Sequence, residues 1–171
     1  MSADSAPSIS RDKEKGWITE GRERIVTFRI KTFQAFADRL IKMAGSTLGG
    51  VLLYQMGNEI GRTALHYSRN LIRSESDVGK ALDIVYSQRG WGRCLGVETE
   101  TVDGETKYVF KMTGTPLSHE RASKEPTCHI VRGILAGWIE AYVDAKAKRS
   151  REVECASMGH QSCVFEVVLS K

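Results

Sequence analysis

The sequence predicts an α+β fold: an antiparallel sheet built from two hairpins, packed with about four helices. Apolar residues recur every three or four positions in four stretches, the mark of amphipathic helices. The spacing drops to simple alternation in two others, the mark of half-buried strands. The order is a run of helices, a hairpin, a long helix and a second hairpin, which suits segregated α+β layers and not a doubly wound parallel sheet.

Residues 1–16 mix Ser, Ala, Asp, Lys and Arg without apolar periodicity, and read as a mobile tail. The rest, 17–171, reads as one domain, since no linker or repeat divides it. From Thr32 to Ala44, the positions Phe33, Phe36, Ala37, Leu40, Ile41 and Ala44 define a first helix, ended by Gly45 and Ser46. A second spans about Gly49 to Ile72 and carries Leu52, Leu53, Met56, Ile60, Ala64, Leu65 and Leu71. Its Gly57 and Gly61 lie one turn apart; because glycine weakens a helix by about 1 kcal/mol against alanine, the pair implies a close crossing with another backbone. A third helix opens at Ser76 and Asp77, which supply capping oxygens, and runs to about Gln88, burying Val78, Leu82 and Val85.

Leu95, Val97, Thr99 and Thr101 then alternate with Gly96, Glu98 and Glu100. Asp103-Gly104 is a hairpin turn, and the return strand Lys107–Met112 places Tyr108, Phe110 and Met112 on one face. Residues 114–126 form a loop. A fourth helix begins at Pro126 and Thr127 and runs to about Lys148, with Ile130, Ile134, Trp138, Ala141, Tyr142 and Ala145 as its apolar stripe and Gly133 and Gly137 as a second close-packing face. Arg151–Cys155 and Cys163–Leu169 are strands joined by a loop in which Gly159 is free to turn.

Composition narrows the function. With 41% hydrophobic and 27% charged residues, the chain can build a core. No stretch reaches 18 consecutive apolar residues, and the polar N-terminus has no secretory apolar region, so a cytoplasmic protein with no membrane span is expected. The net charge of +4 is spread among 25 basic and 21 acidic residues and implies no direct DNA binding. Lys146, Lys148, Arg149 and Arg151 form a local basic cluster, a conceivable phosphate patch but more simply a solvated helix end.

Chemistry concentrates in the C-terminal third, which holds three of the four cysteines. In a reducing compartment such clustering points to metal or redox chemistry and not to disulfides. Closing the last hairpin brings Cys155 and Cys163 together. Glu152 reaches the same point if its strand bulges or twists, and Cys128 arrives on the first turn of the fourth helix. Three thiolates and one carboxylate would close a tetrahedral zinc shell with no position left for water. His129 and His160 compete with Glu152 as fourth ligand. The plainer alternatives are buried thiols acting as small hydrophobes, or a redox pair. Cys94 reads as an ordinary core thiol beside Trp91 and Leu95.

The run Cys128-His129-Ile130-Val131-Arg132-Gly133, with Gly137, Glu152-Val153-Glu154-Cys155, Gly159 and Cys163-Val164-Phe165-Glu166-Val167, resembles the 4-vinyl reductase domain family. Tyr54 to Arg62 and Gly90-Trp91-Gly92-Arg93 extend the resemblance to about residues 27–168. It implies a TRAPP-subunit-like α/β fold, a frequent homodimer, and a zinc ion held, as in the family's phenol-sensing members, by the positions of Cys128, Glu152, Cys155 and Cys163. His160 stands where many relatives have an acidic residue.

A small aromatic or hydrocarbon ligand is the expected cargo, with Trp91, Tyr108, Phe110, Trp138 and Tyr142 as candidate pocket walls and His66 as a candidate orienting group. The expected function is a sensing module that acts through a protein partner. The alternatives are a tethering subunit and an accessory protein of a tetrapyrrole vinyl reductase. An enzyme in its own right is disfavoured: Gly90-Trp91-Gly92 lacks the context of a dinucleotide fingerprint, and no nucleophile–base pair remains once the cysteines are occupied.

Overall fold

The computed structural model describes residues 8–170. Two antiparallel sheets and three helices follow in the order β1 (Ile9–Asp12), β2 (Trp17–Glu20), β3 (Glu23–Ile25), α1 (Ile30–Ser68), α2 (Val78–Gln88), β4 (Arg93–Val102), β5 (Glu105–Thr113), α3 (His129–Val143), β6 (Ala147–Glu154) and β7 (Cys163–Ser170). The first three strands form a small sheet and the last four a second one, ordered β4-β5-β7-β6.

The small sheet corrects the expectation of a mobile tail to residue 16, of which residues 1–7 lie outside the described residues. Ile9 to Asp12 pair with Glu20 to Trp17. These strands have too few apolar positions for a periodicity to be read. What holds them is polar: the Arg89 guanidinium at the end of α2 donates to Glu20 Oε2 from Nη2 at 2.8 Å and from Nε at 3.1 Å.

The first two expected helices are one run, α1, with a break at Gly45, whose φ of 80° and ψ of 160° are not helical. A residue with a side chain is strained at that φ. Burial along α1 departs from the pattern in a telling way. Phe36, Leu52 and Met56 are exposed, while Gly49, Gly50, Gly57 and Gly61 are buried. The cause is the crossing with α3. A Cβ on Gly57 would lie 2.1 Å from Ile130 O, and one on Gly61 2.0 Å from Ile134 O. Gly133 and Gly137 answer from the other side, each with a virtual Cβ 2.0 Å from a carbonyl of α1. Four glycines therefore place two backbones in contact.

The cap before α2 is set earlier than expected. Asp77 Oδ2 accepts from Ser74 N and Ser74 Oγ, both at 2.9 Å, closing a box across a short 3-10 turn. In β4 the alternation is interrupted, because Cys94 pairs with Met112 and Gly96 with Lys111. Leu95 is the extra residue of a bulge and faces solvent, while Cys94 is buried. The Asp103-Gly104 turn is present, with φ of 50° and 78°.

The inner face of the large sheet pairs Tyr108 with Val167, Phe110 with Phe165 and Met112 with Cys163, all buried. The helix α3 lies in the same core; its Ile130, Ile134, Trp138 and Ile139 are buried. It ends at Val143, not near Lys148, because Asp144 turns left-handed at φ 56° and Glu140 Oε1 accepts from Ala147 N at 3.1 Å. The basic cluster thus sits on β6 and its approach, not on a helix end. Since β6 is an edge strand, its lysines and arginines guard an open row of backbone groups. Among the described residues, no helix is long and apolar enough to cross a membrane.

Candidate metal centre

Four side chains converge where the start of α3 meets the β6–β7 hairpin. One ligand atom from each of Cys128, Glu152, Cys155 and Cys163 lies within 4.8 Å of all the others. Cys128 is the residue that caps α3. Cys155 ends β6, Cys163 opens β7, and the link between them is a 3-10 turn closed by Gly159 at φ 96°. Cys128 and Cys155 are fully buried and Cys163 is 1% exposed, with Glu152 at the half-buried margin.

The position of Glu152 depends on a bulge. It pairs with Phe165, while Glu154 pairs with Val164, so Val153 has no opposite residue. In a regular strand, residues three apart face opposite sides. The extra residue cancels that and brings Glu152 to the side of Cys155. Neither histidine joins the group. His160 is exposed, and the ring of His129 covers Gly50, whose virtual Cβ lies 3.3 Å from it.

Donors surround the sulfurs. Ala156 N donates to Cys163 Sγ at 3.3 Å, and Cys128 N donates to Glu152 Oε2 at 2.9 Å. Thr115 Oγ1 lies 3.2 Å from Cys128 Sγ, and Ser157 Oγ lies 3.0 Å from Cys155 Sγ. Ser118 Oγ is 3.5 Å from Cys163 Sγ. Sequence reasoning singles out none of these hydroxyls. The available signal is faint: short hydroxyl residues, Thr115, Ser118 and Thr127, in a loop that contains Pro116 and Pro126.

The electrostatics describe a site short of positive charge. Hydrogen bonds from Cys128 and Cys163 pull the Cys155 thiol down, so it holds the charge. The same bond to Cys155 pushes Cys128 well above the ordinary thiol value. Burial, with the hydrogen bond to Cys155, lifts Glu152 to about 8. For Cys163, the bond to Cys128 lowers the value, but Cys155 and burial outweigh it and the thiol is raised. One negative charge on Cys155 makes the next ionisations costly, and a divalent cation reverses that order.

The residues fit such an ion. All four cysteines of the chain are free thiols. A tetrahedral shell with Zn–S near 2.3 Å has an edge of about 3.8 Å; Cys128 Sγ and Cys163 Sγ are 3.8 Å apart. Glu152 Oε1 is buried without a hydrogen-bond partner.

The aromatic residues expected as pocket walls share one core cluster, in which Tyr108, Phe110 and Trp138 are buried and Trp91 and Tyr142 partly buried. Trp138 stacks on Tyr142 at 5.7 Å, and Trp91 meets Phe33 edge-on at 5.5 Å. None of the five lines the 410 Å³ cleft between α2 and β4, whose walls include Lys80, Asp83 and Cys94. Cys94 itself is a core thiol, raised to about 11 by burial. His66 is exposed on α1.

Residues 109–169 match the family model of the 4-vinyl reductase domain, a span that holds all four cluster residues. No curated protein sequence matches the chain. Three solved structures are similar. One is the phenol-responsive sensory domain of the transcription activator PoxR with phenol: 19% identity, 95% of this chain and 84% of that one, TM-score 0.76. The second is a vinyl-4-reductase family protein from Methanocaldococcus jannaschii: 21% identity, 86% and 85% covered, TM-score 0.56. The third is a trafficking protein particle complex subunit 3 from Naegleria fowleri covalently bound to palmitic acid: 16% identity, 84% and 98% covered, TM-score 0.53. At these identities the likeness is one of fold. The chain therefore carries a 4-vinyl reductase domain over residues 109–169, set in an α+β fold that it shares with a phenol sensory domain and a TRAPP subunit.

Proposed function

We propose that this protein is a zinc-containing module that binds a small aromatic or hydrocarbon ligand and reports it to a protein partner. The observation that carries the reading is the convergence of Cys128, Glu152, Cys155 and Cys163 inside the 4-vinyl reductase segment of a phenol-sensor-like fold. Three thiolates select zinc over hard cations, and four protein ligands leave no place for a reacting water. The ion's part is structural: it fastens the start of α3 to the β6–β7 hairpin.

Ligand binding falls to the aromatic core. Trp138 and Tyr142 lie on α3, Tyr108 and Phe110 on β5, and Trp91 before β4. These rings pack into one cluster, so a ligand enters by parting α3 from the sheet. The zinc holds one end of α3 still, and the movement is passed to the rest of that helix and to α1 across the glycine crossing. That couples occupancy to the outer surface of α1.

The outer surface of α1 is where a second copy would dock. Phe36, Met43, Leu48, Val51 and Leu52 are exposed there, at 43–76% of their area, with Val26 and Phe28 just before the helix. Contiguous apolar surface of this kind marks interaction sites. A tethering role, as for the TRAPP relatives, would use the same strip and is the second reading.

Native mass spectrometry of protein purified without added metal tests the proposal. Zinc with an extra small-molecule mass on the folded species is the expected result. Zinc with no ligand, and no heat signal on titrating phenol or simple arenes, moves the reading to the tethering role.

A further inference from the structure

We infer that Arg132 is a positioning residue for the metal centre, supplying the positive charge that offsets the anionic excess of the loaded shell. The inference rests on the zinc reading above. Four anionic ligands around a divalent cation leave two negative charges over, in a site whose three cysteines are buried. A buried excess of that size needs a compensating charge close by.

Arg132 is placed for this. It lies one turn beyond Cys128, and its N–H donates to the Cys128 carbonyl at 2.9 Å, so the two residues share the first turn of α3. Its Nε is buried with no hydrogen-bond partner. No carboxylate among the described residues pairs with its guanidinium, whose neighbour is the ring of Tyr54 at 5.1 Å. Burying a cation without a partner is costly, and the structure tolerates it here for a reason. On the facing strand β6, Glu152 Oε1 is likewise buried and unpartnered. Burial presses the Arg132 charge downward while Tyr54 and Glu152 support it, which places Arg132 and Glu152 within electrostatic reach. Other basic side chains near the hairpin do not serve: Arg151 is exposed, and Arg121 pairs with Asp38 at 2.6 Å. His129 does not serve either, because burial and the Arg132 charge hold its ring neutral.

An arginine tuning a ligand carboxylate from outside the shell should affect affinity for the metal more than folding without it. Partners of metal ligands typically change affinity by about 10–100-fold when removed. The experiment is competition for zinc against a chromophoric chelator, using the full chain and the variants Arg132→Met and Arg132→Lys. The melting temperature of each metal-free form is measured alongside. The expected result is zinc affinity at least about tenfold weaker in Arg132→Met, largely restored in Arg132→Lys, with metal-free melting unchanged. If Arg132→Met does not fold, Arg132→Gln takes its place, keeping length and polarity without charge. Affinity unchanged within about twofold in the neutral variant overturns the inference, being far below the expected effect. So does an equal loss in both variants accompanied by lower metal-free melting, which would make the role one of packing. A wild-type chain that binds no zinc defeats the metal reading itself and is told apart by that single control.

Discussion

Glu152 and Cys155 stand three residues apart at the end of β6, yet their ligand atoms meet within 4.8 Å, because Val153 is the unpaired residue of a bulge between them. Deleting Val153 restores strict alternation and turns Glu152 or Cys155 to the wrong face. The expected outcome is a loss of zinc as large as that of Cys155→Ser, read by elemental analysis of the purified variants.

Cys155→Ser removes the sulfur that carries the cluster's charge. Its melting temperature should fall by several degrees in the zinc-loaded protein, on the order of 2–4 kcal/mol for a broken buried site. Stripping zinc with a chelator should produce most of the same drop in the wild type and little further in the variant. Equal melting of the loaded wild type and the variant would contradict a stabilising metal.

The pH dependence separates the loaded from the metal-free form. Glu152 is raised in the folded state, so alone it costs stability as pH rises from its ordinary range toward 8. Cys155 is lowered, so alone it adds stability over the same range. Between them the pair binds one proton in both folded and unfolded states across that window, and the two effects cancel. Metal-free stability should therefore be nearly flat in pH as far as this pair is concerned. Zinc, by contrast, must displace protons from Cys128, Cys163 and Glu152, so its affinity falls by up to about a thousandfold per pH unit below 8. Chelator competition at about pH 6.5, 7 and 7.5 measures the slope, and a pH-independent affinity would contradict the ligand set.

The glycine crossing makes a prediction independent of metal. Gly61→Ala places a methyl group 2.0 Å from Ile134 O, and Gly137→Ala places one 2.0 Å from Asn58 O. Backbone must move in both cases, at a cost of about 1–3 kcal/mol or more. Urea denaturation should show it for each, whereas Gly104→Ala, with open space around its Cβ, should lose only what its φ of 78° demands.

Met43→Glu and Leu52→Glu test the partner surface. Both side chains are exposed, at 76% and 43%, so neither change should harm folding. Sedimentation should show a dimer for the wild type and monomers for the variants.

Much of this was legible in the residues, for physical reasons. The spacing of Gly57 with Gly61 and Gly133 with Gly137 foretold two backbones in contact, and the Asp103-Gly104 turn fixed the first hairpin. The Cys155 and Cys163 pair was readable because a hairpin must bring its two ends together. Other features left little trace. The strand Ile9–Asp12 is held by pairing and by the Glu20–Arg89 contact, not by an apolar face of its own. Phe36 and Leu52 matched the helical pattern but face outward, because glycines took the inner face of the crossing. The bulges at Leu95 and Val153 are decided by the partner strand, and no local pattern announces them. The hydroxyls of Thr115 and Ser157 reach the sulfurs only after the loops that carry them have folded back.

The most direct test of the central claim is the metal itself: elemental analysis of the chain purified without added metal, with X-ray absorption at the zinc edge. One zinc per chain, in a shell of three sulfurs and one oxygen, is the predicted result. No zinc, or a shell containing imidazole nitrogen, would contradict it.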